Sequence, residues 1–285
     1  MFDLAALESA GDDGLGGTIF AGHLHFSPVA DSTNDDALTA ARQGAPHGSV
    51  FFADEQLAGR GRGNHGWHSA AGEGLYVSVL LRPQFPASRL SLLSLAAGLA
   101  AADAVHAAAR LTVDLRWPND LLIGPRKTGG ILVEAKIEST TEPHAVLGIG
   151  INVHQRSFAP GLSTEPTSLD LEAGRRIPRQ RLLVCLLKSL ERETLALAAD
   201  GADAIPTRVS QTSTWIKGRK VEVHGPQACT GVTAGLDRNG FLLVRTPTGI
   251  VTVQTGGIRA LPPAAIGGWR PTVARRILGV ERRFL

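Results

Sequence analysis

Along residues 18–26 apolar and polar side chains alternate in strand fashion, and the run leads into Asp31-Ser32-Thr33-Asn34, a start signal for a helix continuing through residues 37–42. A second strand is expected over 49–53, followed by a glycine-rich loop over 59–74 and a strand over 75–81. Leu92, Leu95, Leu99 and Ala102 fall at helical spacing, which predicts a long helix capped by Ser88 and running through Ala109. The pattern then returns to strands, over 112–117, 121–123, 129–137 and 145–153. Pro160, Pro166 and Pro178 break up residues 155–178 and predict a long surface loop. Beyond it, Leu182, Leu183, Leu186, Leu187 and Leu190 place one apolar face on a helix over 179–199.

From about residue 215 to residue 261 the chain changes character. Short strands alternate with the turn signals Asp237-Arg238-Asn239-Gly240 and Thr246-Pro247-Thr248-Gly249, the pattern of a small β-barrel. Strands in succession with helices outside them give an α+β fold class, built on a mixed, mostly antiparallel sheet flanked by helices. The expected division is a loosely held leader over 1–18, rich in Gly, Asp and Ala, a sheet-and-helix domain over 19–210, the barrel over 211–262, and a basic tail over 263–285. In that tail Arg270, Arg275, Arg276, Arg282 and Arg283 stand among apolar residues, either as an amphipathic helix or as a solvated charged face.

Composition narrows the class. With 43% hydrophobic and 19% charged residues in a chain of 285, the protein is globular rather than disordered or membrane-embedded. The longest apolar runs are broken by Ser, Gly or Arg short of the roughly 20 residues a membrane span needs, so no membrane association is expected. No Lys or Arg precedes Arg42, and Asp3, Glu8, Asp12 and Asp13 make the opening acidic, which excludes a basic targeting signal and implies a cytoplasmic location. Cys185 and Cys229 lie far apart without a CxxC partner, so both are read as reduced core residues. The net charge of +3 is spread among 26 acids and makes no stripe that would mark a nucleic-acid binder.

Candidate chemistry begins at Gln56-Leu57-Ala58-Gly59-Arg60-Gly61-Arg62-Gly63-Asn64-His65-Gly66-Trp67. Glycines let backbone N–H groups approach an anion, and arginine forks hold phosphoryl or carboxylate oxygens in two-pronged contacts. A flexible turn with exposed arginines, or an RNA-binding arginine-glycine segment, would carry the same residues. Next come Arg116-Trp117-Pro118-Asn119-Asp120 and then Lys127-Thr128-Gly129-Gly130-Ile131-Leu132-Val133-Glu134. A lysine ammonium suits the bridging of a carboxylate nucleophile to the α-phosphate it attacks, although a hairpin lysine on the surface would look the same. In Gly148-Ile149-Gly150-Ile151-Asn152-Val153 the glycines admit a flat ligand and Asn152 can read an adenine edge.

Together these segments, in this order and at this spacing, resemble the biotin protein ligases over residues 26–261. The resemblance implies the biotin ligase catalytic fold, like that of class II aminoacyl-tRNA synthetases, with a small C-terminal SH3-like barrel. The 19–210 unit then becomes the catalytic, biotin- and ATP-binding domain. The implied reaction forms biotinyl-5'-AMP from biotin and ATP, with Mg2+ arriving in the ATP complex. Biotin then passes to a lysine of a biotin carboxyl carrier protein, a subunit of acetyl-CoA carboxylase or a related carboxylase. By the same resemblance Ser32, Thr33, Asn34 and Gln56 hold the ureido head and flank of biotin, with Gly59, Gly129 and Gly130 completing that site. Arg60, Gly61 and Arg62 order over biotin and the phosphates, and Lys127 contacts the biotin carboxylate and the α-phosphate. Trp67 stacks on adenine, Asn152 bonds its amino group, and Asn119 and Asp120 lie beside the reacting atoms, Asp120 assisting magnesium or proton transfer. Lys127, Arg60, Arg62 and Asp120 are the expected catalytic set, and a homodimer pairing through sheet edges is a further implication.

Two positions depart from the pattern. Arg116 stands where lysine is common, and Gly63-Asn64-His65-Gly66 is less basic than usual. His65, His68 and His106 are read as loop and packing residues. About thirty residues precede Asp31 without a helix-helix pattern, so no DNA-binding module and no DNA partner are expected. Two readings compete with the ligase. A lipoate or octanoate ligase shares the chemistry, but its Arg-Arg and Ser-Gly-Gly-Gly runs are missing here. A non-catalytic nucleotide or nucleic-acid binder would not need the full set of Lys127, Trp67 and both loop arginines.

Overall fold

A computed structural model describes residues 2–82, 87–136, 144–199 and 203–261. Seven strands form the main sheet: β1 (Leu24–Ala30), β2 (Val50–Gln56), β3 (Gly74–Leu81), β4 (Asp114–Arg116), β5 (Asp120–Ile123), β6 (Arg126–Lys136) and β7 (His144–Asn152). Their order is β1-β2-β3-β7-β6-β5-β4. Only β1 and β2 run parallel, and α2 (Thr33–Arg42) supplies the crossover that a parallel pair requires. The remaining neighbours are antiparallel, as expected for a mixed, mostly antiparallel sheet.

Strand alternation divides the sheet into two faces. Leu75, Val77, Val79 and Leu81 of β3 join Ala145, Leu147, Ile149 and Ile151 of β7 in the main core. There they meet α3 (Leu93–Ala109) and α5 (Arg179–Ala198), helices that also pack on each other. Leu182, Leu183, Leu186, Leu187 and Leu190 are all fully buried, each contributing about 1.5–3 kcal/mol of apolar burial. The intervening positions, Tyr76, Ser78 and Leu80 of β3 and Val146, Gly148, Gly150 and Asn152 of β7, point the other way. On that side α2 covers the Leu80–Val146 end through Ala37 and Ala41, and its first residues, Thr33 and Asn34, reach Ser78 and Gly148. The rest of this face carries the candidate site.

Several expectations are corrected. Residues 18–26 are not a strand; the strand starts at Leu24, and the chain before it turns so as to bury Phe20. The leader is not loosely held. A short helix, α1 (Leu4–Glu8), is capped by Asp3, and Phe2, Leu7 and Leu15 are buried. Its polar groups are tied to α5, with Asp3 N–H donating to Gln180 Oε1 at 2.8 Å and Ile19 N–H to Glu191 Oε1 at 2.7 Å. The helix predicted from Ser88 begins instead at Leu93, after a 3-10 stretch over Ala87–Leu92; the Ser88 side chain lies outside the described residues. The segment Arg89–Ala109 does have the length and hydropathy of a membrane span, but Leu93, Ala96, Ala97, Ala100, Ala101 and Ala104 are fully buried inside the protein. It is a core helix.

The 155–178 segment is more than a surface loop. It contains α4 (Leu169–Ala173), capped by Ser168, and buries Gln155, Thr167, Ser168, Leu169 and Ile177. A further helix, α6 (Ala204–Thr212), was not expected; Arg208 joins it to α5 by a two-pronged contact with the buried Glu193 at 2.6 and 2.9 Å.

Beyond α6, β8 (Lys217–His224), β9 (Cys229–Leu236), β10 (Leu242–Thr246), β11 (Gly249–Val253) and β12 (Gly257–Ala260) form an antiparallel sheet in the order β11-β10-β9-β8-β12, which fits a small barrel-like unit. The β9–β10 turn rests on the main domain. There Gly240 O accepts from Trp117 Nε1 at 3.0 Å and Asn239 O from Ser91 Oγ at 2.8 Å. The basic tail lies outside the described residues.

Candidate active site

The open face of the sheet carries a patch without side chains. Gly130 of β6 and Gly150 of β7 are cross-strand partners, and a Cβ on Gly150 would lie 2.6 Å from the Trp67 indole. A Cβ on Gly130 would meet the same ring at 3.5 Å and Lys127 Nζ at 3.7 Å. The protein's own tryptophan therefore covers Gly150, one of the glycines expected to admit a flat ligand, and reaches Gly130, expected in the biotin site. The indole Nε1 is buried with no acceptor among the described residues.

Trp67 is delivered by a hairpin. Gly59 O accepts from Trp67 N–H at 2.7 Å, His65 O from Gly61 N–H at 2.7 Å, and Arg60 bridges Gly66. Gly59 is close-packed, since a Cβ there would stand 2.5 Å from Trp67 O. The Gly-Arg-Gly-Arg segment is thus tied back on itself by a single β-bridge, Arg60 with Gly66, around the turn Arg62–Asn64.

At one end of this patch Thr33 and Asn34 open α2 under Ser32, whose C=O accepts from Asp35 and Asp36 N–H. Gln56 Oε1 accepts from Thr33 N–H at 2.9 Å and from its hydroxyl at 3.1 Å, while Gln56 Nε2 donates to Ser69 Oγ at 2.7 Å. Thr33 Oγ1 lies 2.7 Å from Ser78 Oγ, which donates to Asn34 Oδ1 at 2.5 Å. Asn34 Nδ2 donates to Glu134 Oε2 at 2.7 Å, and Arg60 contacts the same oxygen at 2.7 Å while also reaching Asp35 Oδ1 at 2.7 Å. Ser32, Thr33, Asn34, Gln56 and Arg60 are brought together, with donors and acceptors suited to a small polar ring system. Gly148 makes this possible, because a Cβ there would collide with Asn34 Oδ1 at 2.2 Å.

At the other end, Lys127 Nζ sits 2.6 Å from Asp120 Oδ1 and 5.6 Å from the Trp67 ring centre. Arg116 grips Asp120 Oδ2 through Nε at 3.0 Å and a terminal nitrogen at 2.6 Å, and stands 5.3 Å from the Trp215 ring centre. Burial alone would raise the Asp120 carboxyl, but Lys127 and Arg116 outweigh it and hold it below the usual carboxylate range. Both its oxygens face cations, Lys127 on one and Arg116 on the other.

The segment 164–167 frames this end. Thr164 accepts from Arg116 at 2.8 Å, Lys127 N–H donates to Glu165 O at 2.7 Å, and Asn152 Nδ2 donates to Thr167 O at 3.0 Å. One amide N–H of Asn152 is thus used within the chain. Asn119 is a strut, its amide donating to Ile131 O at 2.9 Å while its backbone C=O accepts from Ile131 N–H at 3.0 Å.

Three cations were expected to converge. Lys127 and Arg62 both lie in the field of Asp120, and burial lowers the Arg62 guanidinium from its ordinary value against that field. Arg60 is instead held by Asp35 and Glu134 beside Asn34 and Thr33. Sequence reasoning missed Ser78, Asp35 and Ser69 as members of the site. Ser78 carried a signal in retrospect, as a small polar residue on the apolar strand Gly74–Leu81.

A model of the Biotin/lipoate A/B protein ligase family matches residues 26–152. The chain is 34% identical over 249 residues to the bifunctional ligase/repressor BirA of Bacillus spizizenii, spanning 86% of this chain and 76% of that protein. It is 34% identical over 234 residues to the biotin–acetyl-CoA-carboxylase ligase of Mycobacterium tuberculosis, spanning 80% and 85% respectively. Among solved structures, a biotin protein ligase from Aquifex aeolicus in complex with biotin and ATP is similar at a TM-score of 0.73 and 27% identity, over 84% of this chain and 98% of that one.

Proposed function

This chain belongs to the biotin protein ligase family, and from that premise we propose that it activates biotin with ATP as biotinyl-5'-AMP and then acylates one lysine of a biotin carboxyl carrier protein. In the first step an oxygen of the biotin carboxylate attacks the α-phosphorus and pyrophosphate leaves. In the second the carrier amine attacks the acyl carbon, AMP leaves, and an amide forms.

The observation that carries this reading is the position of Lys127 Nζ, fixed by Asp120 beside Trp67, with Arg62 in the same field. Bringing a carboxylate onto a triphosphate opposes two anions, and cations already fixed in place offset that repulsion without reorganising. Lys127 and Arg62 fill this role. Mg2+ enters with the phosphates of ATP.

The network of Thr33, Asn34, Gln56 and Ser78 suits the ureido head of biotin, whose carbonyl and two N–H groups need acceptors and donors at close quarters. Arg60 closes over that end through Asp35 and Glu134, and so acts by holding the hairpin rather than by meeting phosphate. Trp67 forms one wall between the two ends. Asn152 Oδ1 accepts from the adenine amino group.

Incubation of the protein with ATP, Mg2+ and biotin, without carrier, should give bound biotinyl-AMP detectable by mass spectrometry. Adding a carrier domain should then raise its mass by one biotinyl group. Formation of an adenylate with lipoate but not with biotin would replace this reading by the related acyl ligase.

A further inference from the structure

Arg62 is anchored outside the main sheet. It opens the 3-10 turn Arg62–Asn64, and its guanidinium crosses to the turn between β11 and β12 of the C-terminal sheet. One terminal nitrogen donates to Gly256 O and the other to Thr255 Oγ1 at 2.9 Å, joining positions 194 and 193 residues apart. The anchor is rigid. Gly256 has φ +120°, and a Cβ there would stand 1.9 Å from His224 O, so only glycine allows the turn to close on β8. The next residue, Gly257, already pairs with His224 in the β12–β8 ladder.

The sheet that carries this anchor is itself fixed beside the reacting end. Trp117 Nε1 and Ser91 Oγ hold the β9–β10 turn, and Trp117 precedes Asn119 and Asp120 by only a turn. Arg62, Asn119, Gly240 and Gln254 line one cavity of ≈ 330 Å³. A guanidinium carries five N–H donors, and the two contacts leave the others for substrate oxygens.

We propose that Thr255 is a positioning residue for the ligase reaction. Its hydroxyl, with the Gly256 carbonyl, holds Arg62 at the wall facing the phosphates, and the C-terminal sheet thereby completes the active site. This rests on the ligase reading above. A side chain that neutralises developing charge must be held in place before the reaction starts, and among the described residues these two contacts are the hydrogen bonds that hold the tip of Arg62.

The test uses the full chain with Thr255→Val, Thr255→Ser, Arg62→Ala and the double variant Arg62→Ala/Thr255→Val. Thr255 is exposed, so replacing its hydroxyl by a methyl group should leave the melting temperature unchanged. Thr255→Val should raise the KM for ATP, or the escape of biotinyl-AMP into solution, by about 5–10-fold, the worth of one partly solvated charge-assisted hydrogen bond. Biotin affinity should not move. Thr255→Ser should restore wild-type values, and in the Arg62→Ala background Thr255→Val should add nothing.

Wild-type behaviour of Thr255→Val, or an equal effect with Arg62 absent, overturns the proposal alone. A wild-type protein that makes no adenylate overturns the ligase reading and this proposal with it.

Discussion

Lys127 and Asp120 face each other across adjacent strands, with Nζ 2.6 Å from Oδ1, and the second carboxylate oxygen is taken by Arg116. The carboxylate is thus fixed between two cations and is largely out of water, its side chain 16% exposed. It holds the Lys127 ammonium in place. Asp120→Asn would present an amide N–H to one of the two cations. It is expected to slow adenylate formation at least about 10-fold and to lower stability by about 2 kcal/mol. Pyrophosphate release and urea unfolding measure the two effects, and an unslowed release would remove Asp120 from the mechanism.

The same pair predicts an acid limb of stability. Lys127 and Arg116 depress the folded-state value of Asp120 below its ordinary 3.8, despite burial. The stabilisation is therefore fully present above the unfolded value and is lost as pH falls through the folded one. Wild-type protein and Asp120→Asn should differ in melting temperature by a constant amount above about pH 5 and converge below about pH 4. A gap that widened on acidification would contradict the sign of the shift.

Lys127→Ala removes the ammonium but leaves its backbone contacts with Glu165 and Thr167 intact. The fold should survive. Adenylation should drop by about 100- to 1000-fold, the range for losing one preorganised charge-stabilising group. Biotin-dependent exchange of labelled pyrophosphate into ATP reads this directly, and exchange at the normal rate would refute the assignment.

Gly150→Ala introduces a Cβ 2.6 Å from the Trp67 ring, on a strand held on both sides by β3 and β6. The strand cannot retreat, so the indole must. We expect retained circular dichroism, altered tryptophan fluorescence and a loss of ligase activity of about 10-fold or more, as for overpacking at a tightly fitted position. Unaltered activity with a shifted fluorescence spectrum would show that Trp67 is not a wall of the site.

Much of this architecture was legible in the sequence, and the exceptions share a physical cause. The helix Arg179–Ala198 announced itself because five leucines repeat on one face, and the strands Gly74–Leu81 and His144–Asn152 because their apolar runs are continuous. Phe2, Leu7 and Leu15 are too sparsely spaced to form a pattern, and their burial depends on partners such as Gln180 far along the chain. The segment 155–178 looked like a loop because prolines dominate it, yet Ser168 and Thr167 anchor it beside Asn152 and Lys127.

Within the site, residue types could be placed but not their allegiances. Nothing local to Arg60 or Arg62 says that the first turns to Asp35 and Glu134 and the second to Thr255. Likewise, the glycine at 150 reads as space for a ligand because sequence cannot show that Trp67 covers it.

The paired glycines on adjacent strands have one more consequence. Where two neighbouring backbones are bare, every substitution can only add bulk, so selection has no gradual route for reshaping that surface from below. Any retuning of acid preference in this enzyme, natural or engineered, must therefore descend from above, through the hairpin that carries Trp67 and the residues that set its height.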